Sequence, residues 1–400
     1  MAFLAQRVGR IVPSASAVAT QRARELAAAG RDVLSLSQGE PDFATPDHVV
    51  EAAHRAMRDG QTRYTTIDGI PELKAAVAEK FRRENALAVR PENISVGAGG
   101  KQVLFNAVMA SVDPGDEAVI PAPFWLAYRD MVQFADGRPV YVQTRPENGF
   151  KLVPEELEAA ITPRTKWLLL NSPGNPAGGT YSARELQALA QVLDRHPRVW
   201  LLSDDIYEHV IFDGREFVTM TNVAPQLASR TLVVNGVSKT YAMTGWRIGF
   251  GAGPAELIRA MAKMQMQGTA NPSSVSQAAA VAALNGPQDF VAQRCAEFQR
   301  RRDAIVPRLN AIPGLSCALP EGAFYVYVSC AGWIGKRTPS GATLASDADV
   351  ELYLLEDAGV ATVHGAAYGM SPYLRISIAS SMEHLEEACR RMARAGENLK

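Results

Sequence analysis

The chain has 400 residues, 47% hydrophobic and 21% charged, and its 41 basic and 42 acidic side chains leave a formal net charge of −1. That is ordinary globular usage in a chain long enough for two domains, and the balance argues against nucleic acid or an anionic membrane as partner. The longest apolar runs, such as Trp167 to Leu170, are far too short to span a bilayer, and no nucleic-acid motif occurs. Four cysteines (Cys295, Cys317, Cys330, Cys389) lie far apart without a Cys-x-x-Cys pair, and the six histidines show no metal spacing. Neither a metal site nor a disulfide framework is expected, whereas a reducing, cytoplasmic compartment is.

The first acidic residue is Glu25, and the stretch before it, with Arg7, Arg10, Arg22 and Arg24 beside Ser14 and Ser16, superficially resembles an organellar transit peptide. It runs without spacer or cleavage signal into Ala17–Gly30, which reads as a helix ended by glycine, so a structured arm is expected instead. Over residues 46–285, helical patterns alternate with apolar runs, the signature of a doubly wound α/β sheet. The expected strands are Ile94–Val96, Glu117–Ile120, Val140–Gln143, Lys166–Leu170, Val199–Leu202, Thr231–Val234 and Arg247–Gly251; expected helices include Lys101–Ser111, Arg184–Leu193 and Pro254–Met266. Residues 1–45 and 286–400 read as a smaller α/β domain with the N-terminal arm, built on a long helix over Phe290–Leu309 and strands at Phe324–Val328 and Tyr373–Ile378.

In open α/β sheets ligands sit beyond the carboxyl ends of the strands. Four of these ends carry chemistry. After Ile94–Val96 comes Gly97-Ala-Gly99-Gly100-Lys101 and then a helix, which offers free backbone donors and the positive end of a helix dipole to an anion. The loop is neither a Walker motif nor Gly-x-Gly-x-x-Gly, and by itself it is as readily a plain turn. After Lys166–Leu170 comes the turn Asn171-Ser-Pro-Gly-Asn175-Pro-Ala-Gly, and after Val199–Ser203 come Asp204, Asp205 and Tyr207. A carboxylate ending an apolar strand is costly unless a cation pairs with it. Asp204 directly follows the strand and takes that role here; Asp205 is expected to be a solvated turn acid.

Thr231–Asn235 and the turn at Gly236 deliver Ser238 and Lys239, with Arg247 following in the same run. Most lysines are solvated surface charges, but one beyond a buried strand, near a second cation, can spend time as a free amine and attack a carbonyl. An aldehyde and a phosphate on one ligand would use both cations, and pyridoxal 5'-phosphate is such a cofactor. Ser238, Arg247 and the glycine loop then form a phosphate cradle. Asp204 faces the pyridinium nitrogen, and Asn175 and Tyr207 reach the ring's phenolic oxygen.

These motifs resemble the class I, fold-type I aminotransferases, in the bacterial aspartate aminotransferase branch that includes prephenate-accepting members. The resemblance runs from Pro13-Ser14 through Gln38-Gly-Glu-Pro-Asp-Phe43, Thr62-Arg-Tyr64, Gly99–Gln102, Pro121–Trp125, Asn171–Gly178, Ser203–Tyr207 and Ser238–Gly249 to Tyr373–Ser377. It implies a large domain with a mostly parallel seven-stranded sheet flanked by helices, plus a smaller α/β domain. It also implies that Lys239 forms the Schiff base and then shuttles the proton, that Trp125 stacks on the ring, and that Gly100, Lys101, Ser238 and Arg247 hold the phosphate. Arg375 and the backbone of Gly39 would grip the substrate α-carboxylate. Tyr64 would reach the phosphate of a neighbouring subunit, implying a homodimer.

Aspartate as donor and 2-oxoglutarate as acceptor need a second cation, for which the resemblance offers Lys101 with Ser14. Val12 departs from the basic residue expected in prephenate-accepting members. Ala15, Phe124, Ala177, Ala279 and Ile378 are also smaller or less polar than the branch leads one to expect. The lost charge at Val12 argues against prephenate, and the other five argue against strict aspartate specificity; prephenate or arogenate, aromatic or other amino acids are the alternative substrates. A lyase, a decarboxylase or a cofactor-binding protein without turnover are the competing classes. Neither His209 nor His364 is needed when Lys239 carries the proton.

Overall fold

The apolar runs pair as strands because helices cover both of their faces, so nearly every strand position is buried rather than every second one. The computed structural model describes residues 3–400. Its strands in chain order are β1 (Leu34–Ser35), β2 (Ile94–Gly97), β3 (Glu117–Ala122), β4 (Arg138–Gln143), β5 (Thr165–Asn171), β6 (Trp200–Asp204), β7 (Thr231–Gly236), β8 (Gly249–Ala252), β9 (Tyr325–Ser329), β10 (Val360–Ala361), β11 (Val363–His364) and β12 (Tyr373–Ser377). Seven of them form one sheet in the order β2-β8-β7-β6-β5-β3-β4. All pairs are parallel except the two that β8 makes, with β2 and β7. The sheet is therefore mostly parallel, as expected for this α/β class.

Period two sorts its side chains into separate cores. Along β5, Trp167 and Leu169 join Val103 and Leu104 of helix Gly100–Ser111 on one face, while Leu168 and Leu170 join Leu186 and Leu189 of helix Ala183–Arg195 on the other. A second body of core surrounds β9 and β12, where Phe324, Val326 and Trp333 pack against helices Asp289–Asn310 and Met382–Glu397. β12 lies between β11 and β9 in a three-stranded antiparallel sheet, and β1 pairs with β10. Among the described residues no helix is long and apolar enough to cross a membrane.

The register aligns the strand ends. Asn171 lies opposite Asp204 and Asp204 opposite Val234, while Gly97 and Gly236 both face Gly249. The carboxyl ends of β2, β5, β6 and β7 and the start of β8 thus share one rim.

Most boundaries shift by one or two residues, and two of the shifts bear on this rim. The N-terminal helix is Ala15–Ala28, two residues earlier at both ends than expected, with Ser14 at its N-cap position and Gly30 following with φ of 85°. The strand expected from Arg247 starts only at Gly249: Arg247 is left-handed, with φ of 56°, and its guanidinium turns back to the carbonyls of Thr244 and Ala98, at 2.8 and 3.2 Å. At Gly249 a Cβ would run into the Gly99–Gly100 backbone, so β8 packs directly on that helix start.

Candidate active site

One cavity of about 330 Å³ opens at this rim, and it gathers every expected site residue except Gly99 and Tyr64. Gly99 lies just behind it with φ of 86°, and a side chain there would displace the guanidinium of Arg247. Gly99 is the N-cap of helix Gly100–Ser111, and Gly100 and Lys101 of its first turn line the cavity together with Ser238. Tyr64 is 93% exposed and outside the cavity of its own chain. Val12 also stands apart, in a separate, mostly apolar cavity behind helix Ala15–Ala28 with Val18, Leu352 and His364.

Lys239 donates to the carbonyl of Gly39 at 2.6 Å. Burial pushes its amine down to about 8; Glu40 and Asp204 resist that fall, and Arg375 and Arg247 add to it. The amine is thus poised to lose its proton close to neutrality. Lys101, on the helix start, is lowered by burial and by Arg247, and its ammonium lies 5.2 Å from the ring centre of Trp125.

Asp204 sits at the end of β6 and is buried. Tyr128 donates to it at 2.6 Å, and among the described residues no cation forms an ion pair with it. Burial pushes its carboxyl up to about 6, against the pull of the Tyr128 hydroxyl, the Ile206 amide and Lys239. Such a group favours a buried positive partner.

Asp205 is not the solvated acid expected, but 1% exposed. Ser203 donates to it at 2.7 Å, and burial, reinforced by Glu208 and Asp204, pushes it up to about 7. The strand ladder runs further than expected: the amide of Asp205 bonds Val234 O at 2.9 Å, beside the Asp204–Val234 pair, so Asp205 shares a buried face with Ser203, opposite to that of Asp204. A folded-state pKa above the unfolded one makes the folded form hold more protons, so this group's contribution to stability is lost as pH rises from about 4 through about 7. Asp205→Asn is expected to melt higher than the parent at pH 8, with the difference shrinking towards pH 4; a difference independent of pH counts against the assignment.

Asn175 accepts from Arg375 through Oδ1 at 3.2 Å, which leaves its amide nitrogen free to donate into the cavity. Arg375 is 3% exposed and also donates to Ser16 Oγ and Ser37 O, at 3.2 and 2.5 Å, while its buried Nε has no partner. An unpaired guanidinium N–H beside a polar cavity suits a carboxylate ligand. Tyr207 shares a hydrogen bond with Tyr325 at 2.8 Å, and Tyr325 in turn lies under the Arg375 guanidinium.

Sequence reasoning missed Ser16, Glu40, Tyr128, Thr244 and Tyr325, all of which line the cavity. Tyr128 is in the first turn of helix Ala127–Phe134, and its ring meets that of Trp125, just before the helix, edge-on at 5.3 Å. Tyr325 belongs to the other sheet, and nothing local marks it.

Glu84, Glu208 and His209 bring three possible metal-ligating atoms within 4.8 Å of one another. The buried ammonium of Lys80 already bonds Glu208 there, and also Asn85 Oδ1 at 2.7 Å, taking the place a metal ion would occupy.

Residues 31–392 match the family model described as aminotransferase class I and II. The chain is 56% identical over 392 residues to an aspartate/prephenate aminotransferase of Cereibacter sphaeroides, covering 98% of both chains. It is 57% identical over 378 residues to an aspartate aminotransferase of Rhizobium meliloti, covering 94% of this chain and 92% of the other. Among solved structures, an aspartate aminotransferase of Rhizobium meliloti superposes with a TM-score of 0.96 at 54% identity over the whole of both chains. One from Thermus thermophilus with maleate gives 0.92 at 43% identity, over 99% of this chain and 100% of that one.

Proposed function

This chain belongs to the class I and II aminotransferases, and from that premise we propose that it transfers the amino group of aspartate to 2-oxoglutarate by a ping-pong mechanism with pyridoxal 5'-phosphate. The observation carrying the reading is the convergence, in one cavity, of a low-pKa lysine, a buried acid without a cation and a buried arginine with an orphaned donor.

The residues present fit the cofactor. Gly99 leaves room for Arg247 that a Cβ would fill, which makes a cradle for a phosphate from Arg247, Ser238, Gly100 and Lys101. Asp204 lacks the positive partner that a protonated ring nitrogen provides. Asn175 has a free amide donor, and with the Tyr207 hydroxyl it would hold the ring oxygen. Trp125 would cover one ring face. When bound, the cofactor supplies an electron sink and a carbonyl carbon that takes up the amino group.

The chain's own side chains do the rest. Lys239 moves the proton at the substrate α-carbon, a task that an amine of pKa about 8 performs near neutral pH. Arg375 fixes the α-carboxylate as a fork, with the backbone of Gly39 on its other side. Lys101 and Ser14, which line the same cavity, take the second carboxylate. Two further parts belong to the same proposal. Residues 46–285 form the cofactor domain, with 1–45 and 286–400 as the smaller one; this is supported by a seven-stranded sheet lying wholly within 94–252 and a three-stranded sheet within 325–377. The protein works in the cytoplasm as a homodimer in which the exposed Tyr64 completes the partner's phosphate site, and a single-chain mass in sedimentation would remove that part.

Aspartate alone, added to the yellow holoenzyme, should bleach its absorbance and release one equivalent of oxaloacetate per site; an unchanged spectrum sinks the aspartate reading. With the cofactor kept saturating, Lys101→Ala should raise KM for aspartate about ten-fold or more and by clearly less for a monocarboxylic donor; an equal loss for both donors, with weakened cofactor binding, would restrict Lys101 to the phosphate. Prephenate is the less favoured acceptor because Val12 carries no charge; arogenate formation in the same assay tests it.

A further inference from the structure

The segment Leu36–Phe43, which carries Gly39, is anchored to the protein at several points, and they differ in what happens to them during a reaction. Arg375 Nη2 holds Ser37 O at 2.5 Å and Lys239 Nζ holds Gly39 O at 2.6 Å. Both are groups the reaction claims, Arg375 for the substrate carboxylate and Lys239 for the amine chemistry. Glu40 accepts from Thr244 at 2.5 Å, which ties the segment to the Lys239–Arg247 run, on the same side of the cavity as Lys239.

Upstream of Gly39, the Leu36 amide donates to Ala361 O at 2.8 Å, its carbonyl accepts from the Ser377 amide at 2.9 Å, and the Ser37 hydroxyl meets that of Thr20 at 2.8 Å. Downstream of Gly39 the segment is held by Arg301, outside the cavity. Arg301, 5% exposed on helix Asp289–Asn310, donates as a fork to Asp42, Nη1 to Oδ1 at 2.8 Å and Nη2 to Oδ2 at 2.9 Å. Nη1 also reaches Ile378 O at 3.3 Å, and Nε donates to Glu297 at 2.9 Å. The guanidinium lies over the rings of Phe43 and Phe298, 5.4 and 5.6 Å from their centres. Asp42 is three residues from Gly39, and Ile378 is three residues from Arg375. One planar cation therefore spans the two segments that present the two halves of the carboxylate grip. A lysine could neutralise Asp42 but could not hold this fork.

We propose that Arg301 is a positioning residue for substrate binding: acting through Asp42, it keeps Gly39 in register with the strand end bearing Arg375 when Lys239 and Arg375 release the segment. This rests on the reading that Gly39 and Arg375 grip the α-carboxylate. The test uses the holoenzyme of the parent, Arg301→Lys, Asp42→Asn and the double variant, each with its melting temperature and cofactor affinity measured alongside kinetics. Each single variant should raise KM for the amino donor about ten-fold with kcat within about two-fold and cofactor affinity unchanged, and the double should be no worse than the worse single. A parental KM in either folded single variant, additive losses in the double, or a fall in kcat at constant KM would overturn the proposal. If Arg301→Lys fails to fold, Asp42→Asn decides alone, since that carboxylate sits on the more exposed side of the pair. If the parent does not transaminate aspartate, the functional reading fails separately, and the KM comparison is made with the donor it does accept.

Discussion

Lys239→Ala should lower turnover by at least about 10⁴-fold, the upper range for loss of a positioned proton carrier, and more where the covalent attachment is lost with it. The cofactor should still bind, because its proposed phosphate cradle of Arg247, Ser238 and the Gly99–Gly100 helix start is untouched by the substitution. Absorbance of the isolated variant reads binding, and a single-turnover experiment with aspartate reads chemistry. Parental turnover would remove Lys239 from the mechanism. The pH dependence follows from the same group: burial lowers the amine to about 8, so in cofactor-free protein its reaction with an amine-directed reagent should rise through about pH 8 rather than near the ordinary lysine value. That part fails if the labelling midpoint stays above pH 10.

Asp204→Asn should lower kcat by about 10³-fold, in the range seen when one preorganised charge or donor is removed from a water-poor site. Asparagine has nearly the same shape and can still accept from Tyr128, so the loss isolates the negative charge. Without it the ring nitrogen has no anionic partner and the cofactor is a poorer electron sink. Tyr128→Phe is the control: it removes one hydrogen bond to a charged group, costing about 1.5–3 kcal/mol, and should slow turnover by about 10-fold or somewhat more. It should also raise the Asp204 pKa above about 6, because the Tyr128 hydroxyl pulls that value down, moving the acid limb of the rate profile to higher pH. An Asp204→Asn variant with parental kcat would refute the assignment.

The fold and most of the cavity were legible because parallel strands buried on both faces stand out as apolar runs, and because their ends are where ligands bind. Asn175, Asp204, Ser238 and Lys239 were found on that rule. It failed where the end of a strand was misplaced. Asp205 has the composition of a turn acid, but the ladder to β7 extends to its amide and leaves its side chain on the buried face of Ser203. Arg247 ends a turn rather than starting a strand, because its guanidinium is needed back at Ala98 and Thr244.

By itself the sequence determined which residues could react, since residue type and the ends of apolar runs are local properties. It also determined the family, through motifs spread over almost the whole chain. Only the tertiary structure decided the environments that give those residues their chemistry. Burial at the sheet rim brings Lys239 down and Asp204 up. Packing of β8 on a glycine helix start seats Arg247. Tyr325, Ser16 and the Arg301–Asp42 fork come from segments far apart in sequence, and desolvation and pairing over such separations depend on the whole packed fold, which no local pattern encodes.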